Sequence, residues 1–333
     1  MSVRVSVALC THQGERWIEE QLRSILAQSV PVAEIVVGDD ASTDQTLEIV
    51  REVVASTDVP IRIRRHAVAL GVAANFADAI AATSGDVVAL SDQDDVWHPD
   101  RLERLLPHLE GVALVHSDAR LVDADGRPLG ATLEASLEMT SWERAAMQDG
   151  RALDALLRRN LVTGATAIMR RDAAVAALPI PDGWIHDEWL AITAALGQGI
   201  RYVPEQTIDY RQHGGNQIGV ERLGVAAKLG RLLEADSGKH DRKARRAASL
   251  AVEATRRGLA AGATLERLRE KALHERDRAR LPRLRVLRIP GVVRGIVAGR
   301  YGRYSRGGLD IARDLLEGHA TTTTPPDARR TRG

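Results

Sequence analysis

The stretch Val87-Val88-Ala89-Leu90-Ser91-Asp92-Gln93-Asp94-Asp95 decides the fold. Four consecutive apolar residues are too few for a helix. With Ser84-Gly85-Asp86 before them, they predict a short strand buried on both faces. Three carboxylates within four residues follow where that strand ends. Upstream, strand and helix signals alternate. Val5, Val7 and Leu9 fall at period two, then Ile18, Leu22, Ile25 and Leu26 at helical spacing. Pro31 punctuates, and Ile35-Val36-Val37 reads as another buried strand. Ser42-Thr43-Asp44-Gln45 has the form of a capping box, with Leu47, Val50 and Val54 continuing its helix. Ile61 and Ile63 alternate with arginines, and residues 71–83 have helical composition. This alternation predicts an α/β chain, a mostly parallel sheet with helices on both faces. Ligands of such sheets bind beyond the carboxyl ends of the strands. Those ends are Cys10-Thr11-His12, Gly38-Asp39-Asp40 and Ser91 to Asp95, so two of the three are carboxylate clusters.

Downstream of Pro99, Leu102, Leu105, Leu106 and Leu109 mark a helix, and residues 112–116 a strand. Asp125-Gly126 is a turn signal inside residues 121–129. Residues 153–159 read as helical, 161–169 as extended with Gly164 inside, 185–196 as a helix and 201–203 as a short strand. From Glu221 the strand signals disappear. Basic amphipathic helices follow, broken by Pro282 and Pro290-Gly291, and residues 321–333 are low-complexity and expected to be disordered.

Charge marks the same division. The 333 residues hold 46 Lys+Arg and 45 Asp+Glu, a net +1. Residues 1–220 carry 19 basic and 32 acidic side chains (−13), and residues 221–333 carry 27 and 13 (+14). Two functional units are expected: residues 1–219, and a basic helical extension (220–320), with the tail 321–333 beyond. Composition excludes several classes. At 44% hydrophobic and 27% charged the chain is neither wholly disordered nor collagen-like. Aromatics at 3% argue against stacking on single-stranded nucleic acid. Cys10 is the only cysteine, which rules out an internal disulfide and a thiolate metal cluster. No apolar run reaches the roughly 18–20 residues of a spanning helix, and Val5 to Cys10 is too short for a signal sequence. A cytoplasmic protein is expected, possessing no spanning segment.

The carboxylate clusters carry the chemistry. Asp92, Asp94 and Asp95 repel one another, and a divalent cation with its preference for hard oxygen ligands relieves this. The same residues also fit a solvated acidic turn that starts the helix after Pro99. Asp39 and Asp40 can accept from a base N–H or a sugar hydroxyl, or can serve the N-terminus of the following helix. Asp187 lies in His186-Asp187-Glu188 between Trp184 and Trp189, whose indoles would desolvate it toward a general base; a plain helix N-terminal acid is the alternative. Arg211-Gln212-His213-Gly214-Gly215-Asn216 is a polar loop that can close on an anion or stand as a solvated surface turn.

Taken in order, these segments resemble the family-2 glycosyltransferases, inverting enzymes of the GT-A fold that use nucleotide-sugars. The resemblance covers residues 4–216. It runs through Val5 to His12, Ile35 to Asp44, Gly71-Val72-Ala73-Ala74-Asn75-Phe76, Leu90 to Trp97, His186-Asp187-Glu188-Trp189 and Tyr210-Arg211-Gln212-His213. It implies a Rossmann-like nucleotide-diphospho-sugar transferase domain over residues 1–219, with 1–110 as its nucleotide-sugar-binding part and 111–219 as its acceptor-binding part. Thr11, His12, Asp39, Asp40, Asn75, Asp92 and Gln93 would meet the nucleotide-sugar. Asp92, Asp94, Asp95 and His213 would hold Mn2+ or Mg2+, and Asp187 would be the catalytic base. Trp97, Gly164, Trp184 and Glu188 would line the acceptor. The Ser-Asp-Gln-Asp-Asp-Val-Trp form is similar to the bacterial rhamnosyltransferase branch, which implies a dTDP-sugar donor. Two departures stand out: His12-Gln13 replace the family's Tyr-Asn, and Ala41 replaces the Gly of Asp-Asp-Gly-Ser.

The family implies a glycan or lipid-linked acceptor and cell-envelope polysaccharide synthesis. Arg280, Arg283, Arg285, Arg288 and Arg294 interleave with Leu281, Leu284, Val286, Leu287, Ile289, Val292 and Val293. Such alternation suits the anionic cytoplasmic face of a membrane, and also a helical subdomain packed on the acidic unit. The rival class is an inactive scaffold or partner-binding subunit of the same shape, against which the retained carboxylates argue. No nucleic-acid motif accompanies the arginines, and no Gly-x-Gly-x-x-Gly follows the first strand, so a nicotinamide-dependent dehydrogenase is discounted.

Overall fold

The computed structural model describes residues 3–213, 235–236 and 238–319. Contacts divide the chain into two units: residues 1–222 with 252–265, and residues 223–251 with 266–333.

In the first unit the order is β1 (Val5–Thr11), α1 (Ile18–Leu26), β2 (Glu34–Asp39), α2 (Thr46–Ala55), β3 (Ile61–Arg65), α3 (Val72–Ala82), β4 (Val87–Ser91), β5 (Val96–Trp97) and α4 (Arg101–Leu105). Then come β6 (Leu114–Val122), β7 (Pro128–Thr132), α5 (Leu133–Ser136), α6 (Ser141–Gln148), α7 (Ala152–Leu156), β8 (Ala167–Arg170), α8 (Arg171–Ala176), α9 (His186–Leu196) and β9 (Ile200–Arg211). The sheet runs β3-β2-β1-β4-β8-β6-β9-β5, with β7 paired to β6. Strands β3, β2, β1 and β4 are mutually parallel, as the alternation predicts. Beyond β4 the sheet is mixed: β8 is antiparallel to β4 and β6, while β9 is parallel to β6.

Every residue of β1, β2 and β4 is buried, so both faces are covered. Val5, Val7 and Leu9 join Ile18, Leu22 and Ile25 of α1 in one core. On β2, Gly38 meets Asn75 and Ala79 of α3. Each fully buried Leu, Ile or Val contributes roughly 1.5–3 kcal/mol. The register sets Thr11 beside Asp39 and Leu9 beside Ser91, so the strands end level and their loops emerge together.

Three local expectations are corrected. Ser42 does not cap α2: its hydroxyl accepts from Gln13 N at 3.0 Å, and the helix begins at Thr46, whose N–H and hydroxyl go to Asp44. The strand expected at 201–203 extends to Arg211 because it pairs along the whole of β6. Pro290 breaks no helix; it sits in the first turn of Ile289–Val297, where the missing N–H costs nothing. The Asp125-Gly126 turn forms between β6 and β7, with Gly126 at φ +81.

Among its described residues the second unit is helical apart from a two-residue pairing of Ala235–Asp236 with Gly318–His319. Its interior combines Leu250, Leu268, Val292 and Tyr304 with buried ion pairs. Arg278 is buried against Asp314 (2.7 and 2.8 Å), Asp310 (3.3 Å) and Glu275 (3.4 Å), and Tyr301 donates to Asp314 at 2.6 Å. The expected disordered tail 321–333 and the loop residues Gly214, Gly215 and Asn216 lie outside the described residues.

Candidate active site at the strand ends

The ends of β1, β2 and β4 are joined by hydrogen bonds. Gln93 accepts from the Thr11 hydroxyl (2.6 Å) and from His12 N (2.8 Å), and donates to His12 O (3.1 Å). Gly14 is required there, because a Cβ would lie 2.3 Å from Gln93 Oε1. The His12 ring meets Asp40 O through Nδ1 at 2.6 Å. Thr11, His12, Asp40 and Gln93 therefore form one continuous edge. Both oxygens of Asp40 accept backbone N–H groups from the loop before α3, Leu70 at 2.6 Å and Gly71 at 2.9 Å. Asp39 is fully buried; Oδ2 accepts Ser42 N, and Oδ1 has no partner. Asn75 donates to Gly38 O at 2.9 Å and so ties α3 to β2. Between the aspartates and Ser42, Ala41 holds φ +61. That left-handed conformation is free to Gly but costs an L-residue about 1 kcal/mol, which accounts for glycine in the family pattern.

The second half of the site gathers around β4. Asp94 Oδ2 lies 2.7 Å from His213 Nε2, bringing together residues 119 positions apart. Arg211 is the tie beneath: its Nε donates to Asp94 O (2.7 Å), its backbone N to Asp95 Oδ1 (3.1 Å), and its guanidinium to Ala124 O and Glu20. Asp95 is buried, and its Oδ2 has no hydrogen-bond partner. Burial, then Asp94 and Asp92, push its carboxyl well up; the Arg211 N–H and the Arg101 cation pull the other way. Burial also pushes the Asp92 carboxyl up, to about 8, with Asp94 next in weight and Asp187 after it. Asp187 lies in the first turn of α9 and packs against Gly164, just before β8, the antiparallel neighbour of β4. Asp187 Oδ1 accepts from Glu188 N at 2.5 Å and from Asn160 at 3.4 Å. Gly164 abuts it: a Cβ there would stand 3.5 Å from Asp187 Cβ and 2.5 Å from His186 Nε2.

Two residues not singled out from sequence belong to this cluster. The Tyr210 hydroxyl is held well above its usual range by burial and then by the charges of Asp95, Asp92, Asp94 and Asp187, and the N–H of the next residue, Arg211, donates to Asp95. Trp17, at the start of α1, stacks on the His213 ring at 4.2 Å and 25°. Its position before a capless helix gives no sequence signal. Tyr210 was quoted in the motif, yet only the β9–β5 pairing turns it toward Asp95. Among the described residues no three His, Cys, Asp or Glu side chains form a ready-made metal cage.

Of the acceptor residues, Glu188 lies half-buried beside Asp187. Trp184 is buried edge-on to Trp189 at 5.2 Å, its Nε1 without a hydrogen-bond partner. Trp97 is a correction. It is 2% exposed inside the core, under the Arg101 guanidinium at 4.5 Å, so it supports the site from below and lines no acceptor.

The chain is 29% identical over 218 residues to the uncharacterized protein Rv1520 of Mycobacterium tuberculosis, covering 63% of this chain and 59% of that one. It thus spans about three fifths of that relative's length. It is 27% identical over 234 residues to the dTDP-rhamnosyl transferase RfbG of Shigella flexneri, covering 67% of this chain and 78% of the relative. Its fold is like that of Staphylococcus aureus TarS 1-349, solved in complex with UDP-GlcNAc, with a TM-score of 0.53, 18% identity, and 94% and 90% of the two chains covered. The family description "Glycosyl transferase family 2" matches residues 6–174, just over half of the chain. With parallel β1, β2 and β4 ending level in the loops that carry Asp40, Asp92 and Asp94, the chain belongs to glycosyl transferase family 2.

Proposed function

We propose that this chain is an inverting glycosyltransferase acting in cell-surface polysaccharide synthesis, with residues 1–219 as its transferase domain. It moves a sugar, dTDP-rhamnose being the donor we favour, to a hydroxyl of a glycan or lipid-linked acceptor. What supports this reading is the level ending of β1, β2 and β4 in loops that carry Asp40, Asp92 and Asp94, with His213 2.7 Å from Asp94 and Asp187 packed against Gly164 just before β8, the neighbour of β4.

The donor lies along the edge formed by Thr11, His12, Asp39 and Asp40, its diphosphate toward Asp92 and Asp94. Gln93 holds the β1 and β4 loops at fixed spacing, so nucleotide and diphosphate ends are gripped by one rigid edge. The donor set fits a divalent cation. The Asp94–His213 pair and the Asp95 Oδ2 that has no hydrogen-bond partner offer hard oxygens and one imidazole, the donor types such an ion takes. Asp92, Asp94 and His213, with Asp95 behind, would hold Mn2+ or Mg2+. Such an ion supplies electrostatic stabilisation of the departing diphosphate, worth several kcal/mol. Asp187, its Oδ1 oriented by Glu188 N and Asn160, takes the proton of the acceptor hydroxyl. The new C–O bond forms on the face opposite the departing diphosphate, so the anomeric configuration inverts. Trp184 and Trp189 pack together beneath the start of α9 and fix its angle.

The test is release of nucleoside diphosphate by the full chain from a panel of nucleotide-sugars, with and without added Mn2+ or Mg2+. Asp187→Asn should retain metal-dependent thermal stabilisation by the donor while turnover falls at least ~10²-fold. Near-wild-type turnover by that variant would remove Asp187 from the role of base.

A further inference from the structure

The second unit buries charge beside apolar side chains: Arg278, Glu275, Asp310, Asp314, His240 and Arg288 lie inside with Leu250, Leu268, Val292 and Tyr304, whereas a run of apolar side chains between residues 284 and 297 faces outward. Leu284 is 66% exposed, Val286 70%, Leu287 56%, Ile289 51% and Val297 83%. The helix Ile289–Val297 buries only Val292 and Gly295. The cause is Arg288. The alternating sequence expects its guanidinium to face outward with its neighbours, but it turns inward and donates to the carbonyls of Pro282, Arg283, Asp314 and Glu317 at 2.8–3.1 Å. A cation satisfied by four backbone oxygens is held in place, and the apolar residues flanking it are turned out.

Exposed arginines share this surface. Arg280, Arg283, Arg285 and Arg294 stand at the surface, and among the described residues none meets a carboxylate. Residues 278–309 contain nine arginines and no aspartate or glutamate. A patch both apolar and cationic calls for a partner both apolar and anionic. A second copy of the same face is disfavoured, because pairing it would bring unpaired arginines together. The nine-residue helix rises only about 13 Å, under half of a bilayer's hydrocarbon thickness. No helix among the described residues is long and apolar enough to cross a membrane.

We infer that the face formed by residues 283–297 docks on the surface of an anionic lipid bilayer, with Leu284, Val286, Leu287 and Val297 entering the acyl boundary and Arg283, Arg285 and Arg294 meeting headgroup phosphates. This stands apart from the transferase reading and uses none of its residues. Flotation of the full chain with vesicles of phosphatidylcholine, and of phosphatidylcholine with phosphatidylglycerol, tests it at low and high salt. Binding should require the anionic lipid and weaken with salt. Removing three positive charges in Arg283→Gln/Arg285→Gln/Arg294→Gln should lower partition by ~10²-fold, at about fivefold per arginine. Leu284→Glu/Val286→Glu/Val297→Glu should abolish it. All six positions are exposed, so circular dichroism and donor-dependent thermal stabilisation should match wild type, which keeps failure of docking distinct from failure of the transferase. Equal partition into neutral vesicles, no flotation of the wild type, or variants that float like it would overturn the inference. So would light scattering that shows a wild-type dimer which the same substitutions dissolve.

Discussion

Gly164→Ala is the substitution whose effect the geometry fixes most tightly. A Cβ on residue 164 would lie 2.5 Å from His186 Nε2 and 3.4 Å from His186 Cδ2. Contact requires about 3.5 Å, so the ring or the 164 backbone must retreat by about 1 Å. The ring has little room, since it is 5% exposed and stacks on Phe76 at 3.9 Å and 15°. Overpacking of this kind costs about 1–3 kcal/mol. The neighbouring residue is Asp187, the base proposed above, and a shift of about 1 Å at such a group would cost on the order of 10²-fold in turnover. All five tryptophans lie in the first unit, so urea denaturation followed by tryptophan fluorescence reports that unit without the second. We expect a lowered midpoint and a loss of turnover larger than the loss of donor affinity. His186→Ala removes the obstructing ring, and in that background the added penalty of Gly164→Ala should largely disappear. Wild-type stability and turnover in the single variant, or an undiminished penalty in the double variant, would refute the clash as the cause.

Two other perturbations address different parts of the first unit. Trp17→Ala removes the platform under the His213 ring; the metal concentration for half-maximal activity should rise about 2- to 10-fold, with turnover at saturating metal less affected, and an unchanged metal titration would count against it. Burial alone would raise the Glu143 carboxyl, but Arg159 at 2.8 Å and the Thr140 N–H outweigh burial and hold it at about 2. Because the folded value lies below the unfolded one, its contribution of ~3 kcal/mol is present above about pH 4.5 and lost as pH falls toward 2. The gap in urea midpoint between wild type and Glu143→Gln should therefore shrink between pH 5 and 3, on the order of the ionisation range cited, and a pH-independent gap would sink the assignment.

The parallel half of the sheet was legible because buried parallel strands read as short apolar runs, and their carboxyl ends are marked by where those runs stop. Asp40, Asp92 and Asp94 stand at such ends, and period and punctuation alone locate them. Trp97 was misread because an aromatic two residues past Asp95 looks like part of a binding wall; its burial depends on Arg101 and on Ser24, which takes its N–H at 3.0 Å from another helix. Ser42 has the spacing of a cap, but Gln13, from the loop after β1, claims its hydroxyl first. Spacing along one segment carries no information about such competition.

What the sequence by itself determined is what local physics determines: the alternation of strand and helix, the loops that end in carboxylates, and the change from an acidic to a basic chain. What only the tertiary structure decided is which distant groups meet. The Asp94–His213 contact, Trp17 beneath that ring, Asp187 against Gly164, and Arg288 turned inward so that its apolar neighbours face out all join residues through sheet pairing and packing. Periodicity records which side of an element is buried, but the partner across the gap is chosen by how separate elements fit in space.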